Sequence, residues 1–327
     1  MSKKGLKVSS VGLAMGIAET IPGVSGGTIA FIFKIYQELL DTIKSFSPAE
    51  LNLLLKGRFK EFFKAVNGTF LLFLLMGMAL GIVIGVFGVS YLLENHPLLL
   101  WSFFFGLVLA SAVHLSRDIH WDAGRIGLFI LGAAVSYAIT LISPTQGSEN
   151  LIAILLSGII AISALMLPGL SGAFILLLLG MYGTVIGAVK NFLSEPGIGQ
   201  NLYIIASFGI GCLIGLFTFS RILSYTFKRF FNSTMAVMIG ILIGSLNKLW
   251  PWRIPDQVMN KENNQIMNWS EAQSLPEESL KIISENNFLP TQFGEYGDPH
   301  LFLCIVSFLI AITLIFLLSP KGEKGQL

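Results

Sequence analysis

The residues best placed to do chemistry are Ser25, Gly26, Gly27 and Thr28, with Ser171 and Gly172, because two similar backbone breaks gather hydroxyls and amides there. The first break reads Pro22-Gly23-Val24-Ser25-Gly26-Gly27-Thr28, and 146 residues later Pro168-Gly169-Leu170-Ser171-Gly172-Ala173 repeats it. Proline lacks the N–H a helix ladder needs and glycine weakens a helix, so Pro-Gly ends one helix. The Ser-Gly that follows can cap the next. A restarted helix aims unpaired N–H groups and the positive end of its dipole at one spot, which suits a phosphate or another anion. The alternative is that these residues only permit tight turns, as re-entrant backbone requires.

Other residues are candidates by type. Glu19 lies inside the first apolar arm, where an ionisable group is costly and points to function. It could carry a coupling proton, or pair with Lys34 or with a backbone N–H. Arg117 and Arg221 end apolar spans and could receive a phosphate, since the guanidinium fork matches its oxygens; the plain alternative is a pair of positive anchors. Tyr36 and Tyr182 occupy matched positions and could donate to a ligand, or simply pack at the membrane interface. His114, His120 and Asp122 fall within nine residues, but spacings of six and two put no i, i+4 pair on one helix face. No catalytic residue, metal or cofactor is expected.

Those residues must be positioned by a membrane fold. Of 327 residues, 54% are hydrophobic and 12% charged, and the mean hydropathy is +0.74, outside the range of an ordinary soluble domain. A net charge of +2 gives no reason to expect nucleic acid. Cys212 and Cys304 both fall in apolar spans and form no CxxC motif. The basic start at Lys3, Lys4 and Lys7 precedes only a short apolar run, so no cleaved signal peptide is expected.

The expected class is an all-α polytopic membrane protein built as an inverted repeat, each half a re-entrant broken-helix hairpin plus three transmembrane helices. Repeat 1 (1–145) holds the hairpin 8–43, with arms 8–21 and 25–43, and spans 69–93, 97–116 and 125–142. Repeat 2 (146–327) holds the hairpin 151–189, spans 202–220, 233–249 and 301–318, and a polar loop 250–300. The basic connector 44–64 is expected to lie on the membrane surface. Gly77 and Gly81 match Gly211 and Gly215 at an offset of 134, as Gly106 and Ala110 match Gly240 and Gly244. Such small residues let helices approach closely in lipid.

Charge chooses between crossing and re-entrant hairpins. If both are re-entrant, one side collects 15 of the 21 Lys and Arg residues and the other keeps Lys190, Lys248, Arg253, Lys261 and Lys281, leaving Lys34 inside a hairpin. Full crossing splits them 8 against 12. The re-entrant plan puts both termini in the cytoplasm, makes the two hairpins enter from opposite faces, and leaves the acidic loop 250–300 outside, with a short helix near 270–286.

The chain resembles the bacterial polyprenyl-phosphate transporter family, the undecaprenyl-phosphate translocases. The matching stretches are Met15-Gly16-Ile17-Ala18-Glu19-Thr20-Ile21-Pro22-Gly23-Val24-Ser25-Gly26-Gly27-Thr28 through Ile35-Tyr36, and Leu167-Pro168-Gly169-Leu170-Ser171-Gly172 through Gly180-Met181-Tyr182. Ser220-Arg221-Ile222-Leu223, Gly244-Ser245-Leu246 and Leu249-Trp250-Pro251-Trp252 add to it. The resemblance implies a flippase that returns undecaprenyl phosphate from the outer to the inner leaflet of the bacterial cytoplasmic membrane for carrier recycling. Its partners would be the polyprenyl-phosphate lipid and membrane lipids, with oligomeric state open. Two departures are the long loop 250–300 and Glu19 at a position where aspartate is common. Two alternatives stay beside it: a small-anion or proton-coupled transporter, and a membrane-embedded lipid-phosphate enzyme.

Overall fold

Long apolar runs with few charges fold as helices here, because backbone surrounded by lipid must satisfy its own hydrogen bonds. The computed structural model describes residues 3–20, 25–142, 148, 150–194, 199–261, 265–276 and 279–318. Pro22, Gly23 and Val24 of the first break lie outside the described residues. In chain order come α1 (Lys3–Glu19), α2 (Gly26–Ile32), α3 (Tyr36–Lys44), α4 (Pro48–Leu55), α5 (Phe59–Ala65), α6 (Gly68–Asn95), α7 (Pro97–Ser116) and α8 (Ala123–Leu141). Then follow α9 (Leu151–Met166), α10 (Gly172–Leu178), α11 (Tyr182–Ser194), α12 (Gln200–Arg229) and α13 (Phe231–Ser245), with a 3-10 turn over Leu246–Leu249.

Among the described residues four helices, α6, α7, α8 and α12, are long and apolar enough to cross a membrane, and the bent pair α10–α11 adds a fifth if it counts as one span. The chain is therefore a mostly helical, multi-pass membrane protein. α13 and α16 (Leu301–Leu318), at the positions of expected spans 233–249 and 301–318, are shorter, at 15 and 18 residues. Each packs along a longer neighbour, α13 on α8 and α16 on α7.

The second arm of each hairpin is not the continuous helix that the sequence suggested. α2 ends at a left-handed Lys34 (φ 58°) and α10 at a left-handed Gly180 (φ 70°), positions matched by the 146-residue offset. The capping is the same in both. Lys34 N–H donates to Phe31 O (3.2 Å) and Ile35 N–H to Ala30 O (3.0 Å); Gly180 N–H donates to Leu177 O (2.9 Å) and Met181 N–H to Leu176 O (3.0 Å). These are paired Schellman closures, in which a left-handed residue lets the last carbonyls find donors. After Gly180 the chain turns by 109° into α11. Gly180 was a visible signal for this stop; Lys34 hid its counterpart, since lysine rarely adopts that backbone.

The helix pairs repeat as well. α1 packs along α6 and α9 along α12. A Cβ on Gly77 would run into the Ser9 carbonyl oxygen and one on Gly211 into that of Leu155; Gly81 meets Leu13 and Gly215 meets Ile159 in the same way. Ser9 and Leu155, like Leu13 and Ile159, are 146 residues apart. The glycines thus set the crossing by letting backbones touch, as close packing in lipid requires. The largest core joins α1, α2, α3, α7, α12 and α13 around Phe31, Tyr36, Met166, Leu170 and Phe227.

The polar loop holds a three-stranded antiparallel sheet, which corrects the all-α expectation. β1 (Arg253–Asn260) is central, between β2 (Ile266–Asn268) and β3 (Leu280–Asn287). The helix expected near 270–286 is only α14 (Trp269–Ala272), and from Leu280 onward that stretch is β3. Successive strand residues face opposite ways, and both faces of β1 have a use for them. Val258 packs with Ala272 and Leu280, while Met259 and Ile283 pack on Leu177, with Tyr182 against them. Pairing with β1 thus overrides the helical spacing of Leu275, Leu280 and Ile283. α15 (Pro290–Phe293) follows before α16.

Candidate functional site

The two breaks meet, and hydroxyls from the first close the backbone of the second. The last carbonyls of a helix have no partner within it. At the end of α9, Ser25 Oγ donates to Leu165 O (3.3 Å) and the Tyr36 hydroxyl donates to Met166 O. Just beyond, Gly169 N–H donates to Thr28 Oγ1 (2.9 Å). Ser25 also caps α2 by accepting from Gly27 N–H (3.1 Å). Ser25, Thr28 and Tyr36 are all nearly fully buried, at 1%, 2% and 4% exposure. Gly27 is kept small by the same junction, since its Cβ would lie 2.9 Å from Leu165 O.

The two tips differ in charge. Glu19 accepts from Gly26 N–H (2.8 Å), so a carboxylate already neutralises the start of α2. The position 146 residues on is Leu165, which brings no charge to α10. Ser171 is the N-cap there, accepting from Phe174 N–H at 3.4 Å. Among the described residues no protein group accepts from Gly172 or Ala173 N–H. Gly172 lies under α9, where its Cβ would approach Ala161 O to 2.6 Å.

Lys34 does not pair with Glu19. It forms an ion pair with Asp118 (2.6 Å), tying the α2–α3 turn to the end of α7. Beside it is a cavity of about 30 Å³ lined by Phe31, Lys34, Tyr36, Gln37, Leu115 and Phe227, among others. A pocket that size holds a water or two. Lys4–Glu38 (2.9 Å) and Lys228–Asp41 (2.8 Å) bind α1, α3 and α12 together at the same end.

Arg117 and Arg221 do not reach the tips. Arg117 lies over the Phe316 ring at 5.5 Å, and Arg221 donates to Phe217 O on its own helix (3.1 Å). Tyr182 starts α11 and packs toward Leu177 and Met259. His114, His120 and Asp122 do not converge. His114 packs on Phe316, the His120 carbonyl accepts from Arg125 (2.7 Å), and Asp122 caps α8.

A basic group beyond α13 went unassigned in the sequence. Lys248 lies over the Phe174 ring at 4.7 Å, and Arg253 over the Trp101 ring at 4.2 Å while paired with Glu285. Burial pushes the Arg253 guanidinium below its ordinary range, and Glu285 opposes that shift. The available signal was two cations flanking Trp250-Pro251-Trp252.

A multi-pass helical bundle whose two broken helices close on each other has the build of a membrane transporter. The family described as VCA0040-like, undecaprenyl phosphate translocase-like, matches residues 15–267, and the chain belongs to it. A polyprenyl-phosphate transporter from Vibrio cholerae serotype O1 is 38% identical over 319 residues, covering 96% of each chain. A polyprenyl-phosphate transporter from Staphylococcus aureus is 31% identical over 255 residues, covering 73% of this chain and 84% of that relative. No solved structure matches.

Proposed function

We propose that the chain carries polyprenyl phosphate, with undecaprenyl phosphate as substrate, from the outer to the inner leaflet of the bacterial cytoplasmic membrane, returning the carrier lipid for reuse. The names of the two relatives support the substrate class. The observation that carries the reading is the junction of the breaks through Thr28 and Gly169, residues 141 apart in sequence. On this reading residues 1–145 and 146–327 are inverted halves, each a re-entrant hairpin plus three spans. Both termini are cytoplasmic, and the sheet is outside.

The prenyl tail stays in lipid while the headgroup enters the protein, and no bond is made or broken. The uncompensated tip at Ser171 and Gly172 takes the phosphate first, through backbone N–H groups and a hydroxyl. Passage to the tip of Ser25, Gly26, Gly27 and Thr28 requires the phosphate to replace the Glu19 carboxylate on Gly26 N–H. It also requires the hydroxyl contacts to the end of α9 to open. Arg117, Arg221 and Tyr182 serve as secondary contacts outside this step.

Purified protein in liposomes with labelled undecaprenyl phosphate tests the reading. Transfer between leaflets with the headgroup intact is the expected result, with Ser171→Ala weakening headgroup binding on the order of tenfold. Released phosphate would point to an enzyme instead, and uptake of water-soluble anions without lipid movement to a small-anion transporter; either overturns the proposal. Orientation has its own test. In a background lacking Cys212 and Cys304, single cysteines at Lys56 and Ser270, both exposed, should react with an impermeant reagent from opposite sides. Labelling from one side rules out the re-entrant plan.

A further inference from the structure

Near the sheet, two cations stand close to one carboxylate that pairs with only one of them. The Arg253 side chain is only 6% exposed, and Glu285, its ion-pair partner, is 20% exposed. The buried Arg253 Nε has no hydrogen-bond partner among the described residues. Lys248, five residues earlier, is partly buried against Phe174, and among the described residues no carboxylate pairs with it. Withdrawing a cation from water without a counter-ion is costly, and an unmet buried donor adds to that cost. The cluster therefore holds a surplus positive charge and an unused donor.

Its position gives the surplus a use. Phe174 lies in the first turn of α10, and its N–H donates to Ser171 Oγ. The Lys248 ammonium thus packs on a side chain of the turn that carries the uncompensated tip. Trp101 forms a flat floor under the Arg253 guanidinium, and Trp250 anchors the segment between the two cations by donating to Phe288 O (2.8 Å). A guanidinium fork with an ammonium beside it matches the oxygens of a phosphate monoester better than those of a carboxylate, because the monoester offers three acceptor oxygens and up to two charges.

We propose that Lys248 and Arg253 form a receiving site for a phosphate monoester at the sheet end, with Glu285 holding the place of the ligand until the phosphate displaces it. The inference rests on the transporter reading and gives the loop 250–300 a role in loading. β1 supplies Arg253, β3 supplies Glu285, and the sheet packs on α10 through Met259 and Ile283. The phosphate loads here and then passes to Ser171.

Binding to the purified full-length chain, read by tryptophan fluorescence, tests this with geranyl phosphate, inorganic phosphate and geraniol as probes. Geranyl phosphate should bind and geraniol should not. Preference for geranyl phosphate over inorganic phosphate identifies a lipid headgroup as the ligand; equal affinity identifies free phosphate. Lys248→Gln, which leaves the Arg253–Glu285 pair intact, should weaken geranyl phosphate binding on the order of tenfold or more. Glu285→Gln should tighten it, a change of sign that a merely structural carboxylate would not produce. Thermal melts report whether each variant folds, and Lys248→Gln remains decisive if Glu285→Gln does not. Parental affinity in Lys248→Gln, or weaker binding in a folded Glu285→Gln, overturns the site. If the parent moves undecaprenyl phosphate in liposomes while Lys248→Gln binds and transports like it, only this site fails. If the parent moves no lipid, the transporter reading fails, whatever Lys248 binds.

Discussion

Glu19→Gln is expected to bind the headgroup more tightly than the parent and to transport it more slowly. In the parent, the Glu19 carboxylate accepts from Gly26 N–H at 2.8 Å and so occupies the place a phosphate oxygen would take. An arriving phosphate must displace that charge and meets its repulsion on the way, about 4 kcal/mol for two unit charges 4 Å apart at an intermediate dielectric. Glutamine keeps an acceptor for Gly26 and removes the charge, so the helix stays capped while the repulsion goes. Even a third of that repulsion is about tenfold in affinity. On the proposed pathway the same carboxylate would help to expel the phosphate, so transfer between leaflets should slow as binding tightens. Glu19→Ala separates charge from capping: it leaves Gly26 N–H unpaired and should lower stability by about 1–3 kcal/mol, a loss glutamine avoids. Unchanged headgroup affinity in a stable Glu19→Gln protein would remove the first tip from the pathway.

The helix capping at that tip was legible because it rests on local signals. Pro-Gly stops a helix and Ser-Gly restarts one wherever they occur, and finding both twice at one offset locates the breaks from the sequence. The structure caps α2 with Ser25 and α10 with Ser171. What the sequence did not show is which group answers which. Glu19 and Lys34 are both ionisable and both near the break, yet Lys34 turns to Asp118, 84 residues away, through a left-handed backbone that lysine seldom adopts. The sheet was missed for a related reason. Leu275, Leu280 and Ile283 have a helical spacing, and only the partner strand at Val258 and Met259 makes β3 the better arrangement. Long-range pairing leaves little trace in a local pattern. Lys248 and Arg253 illustrate a third limit. As two of five cations on the sparsely charged side they looked like leftovers of a charge count, and their aromatic supports, Phe174 and Trp101, come from other elements.

Gly169→Val should prevent a stable fold, the largest single effect expected in the chain outside the glycine-lined helix crossings. Three costs fall on one residue. Gly169 has φ 87°, a backbone that disfavours any side chain by roughly 1–2 kcal/mol and a β-branched one by more. Its Cβ would stand 2.8 Å from Ser245 Oγ and 3.2 Å from Ser245 Cβ, and Ser245 is itself buried in the core. Relieving that overlap means moving packed helices, at about 1–3 kcal/mol. Shifting Gly169 also breaks its 2.9 Å bond to Thr28 and leaves a buried donor unmet, at about 1–3 kcal/mol more. The total approaches the whole stability of an ordinary domain. A graded series separates the terms. Gly169→Ala adds only the Cβ, and pairing it with Ser245→Gly removes the nearest obstacle, so the double variant should melt higher than Gly169→Ala alone. Thr28→Val, which keeps the shape and removes the acceptor, should lower stability without any backbone strain. If Gly169→Ala melts like the parent, the second break does not depend on this left-handed turn, and the Thr28 contact is incidental to how the two hairpins hold together.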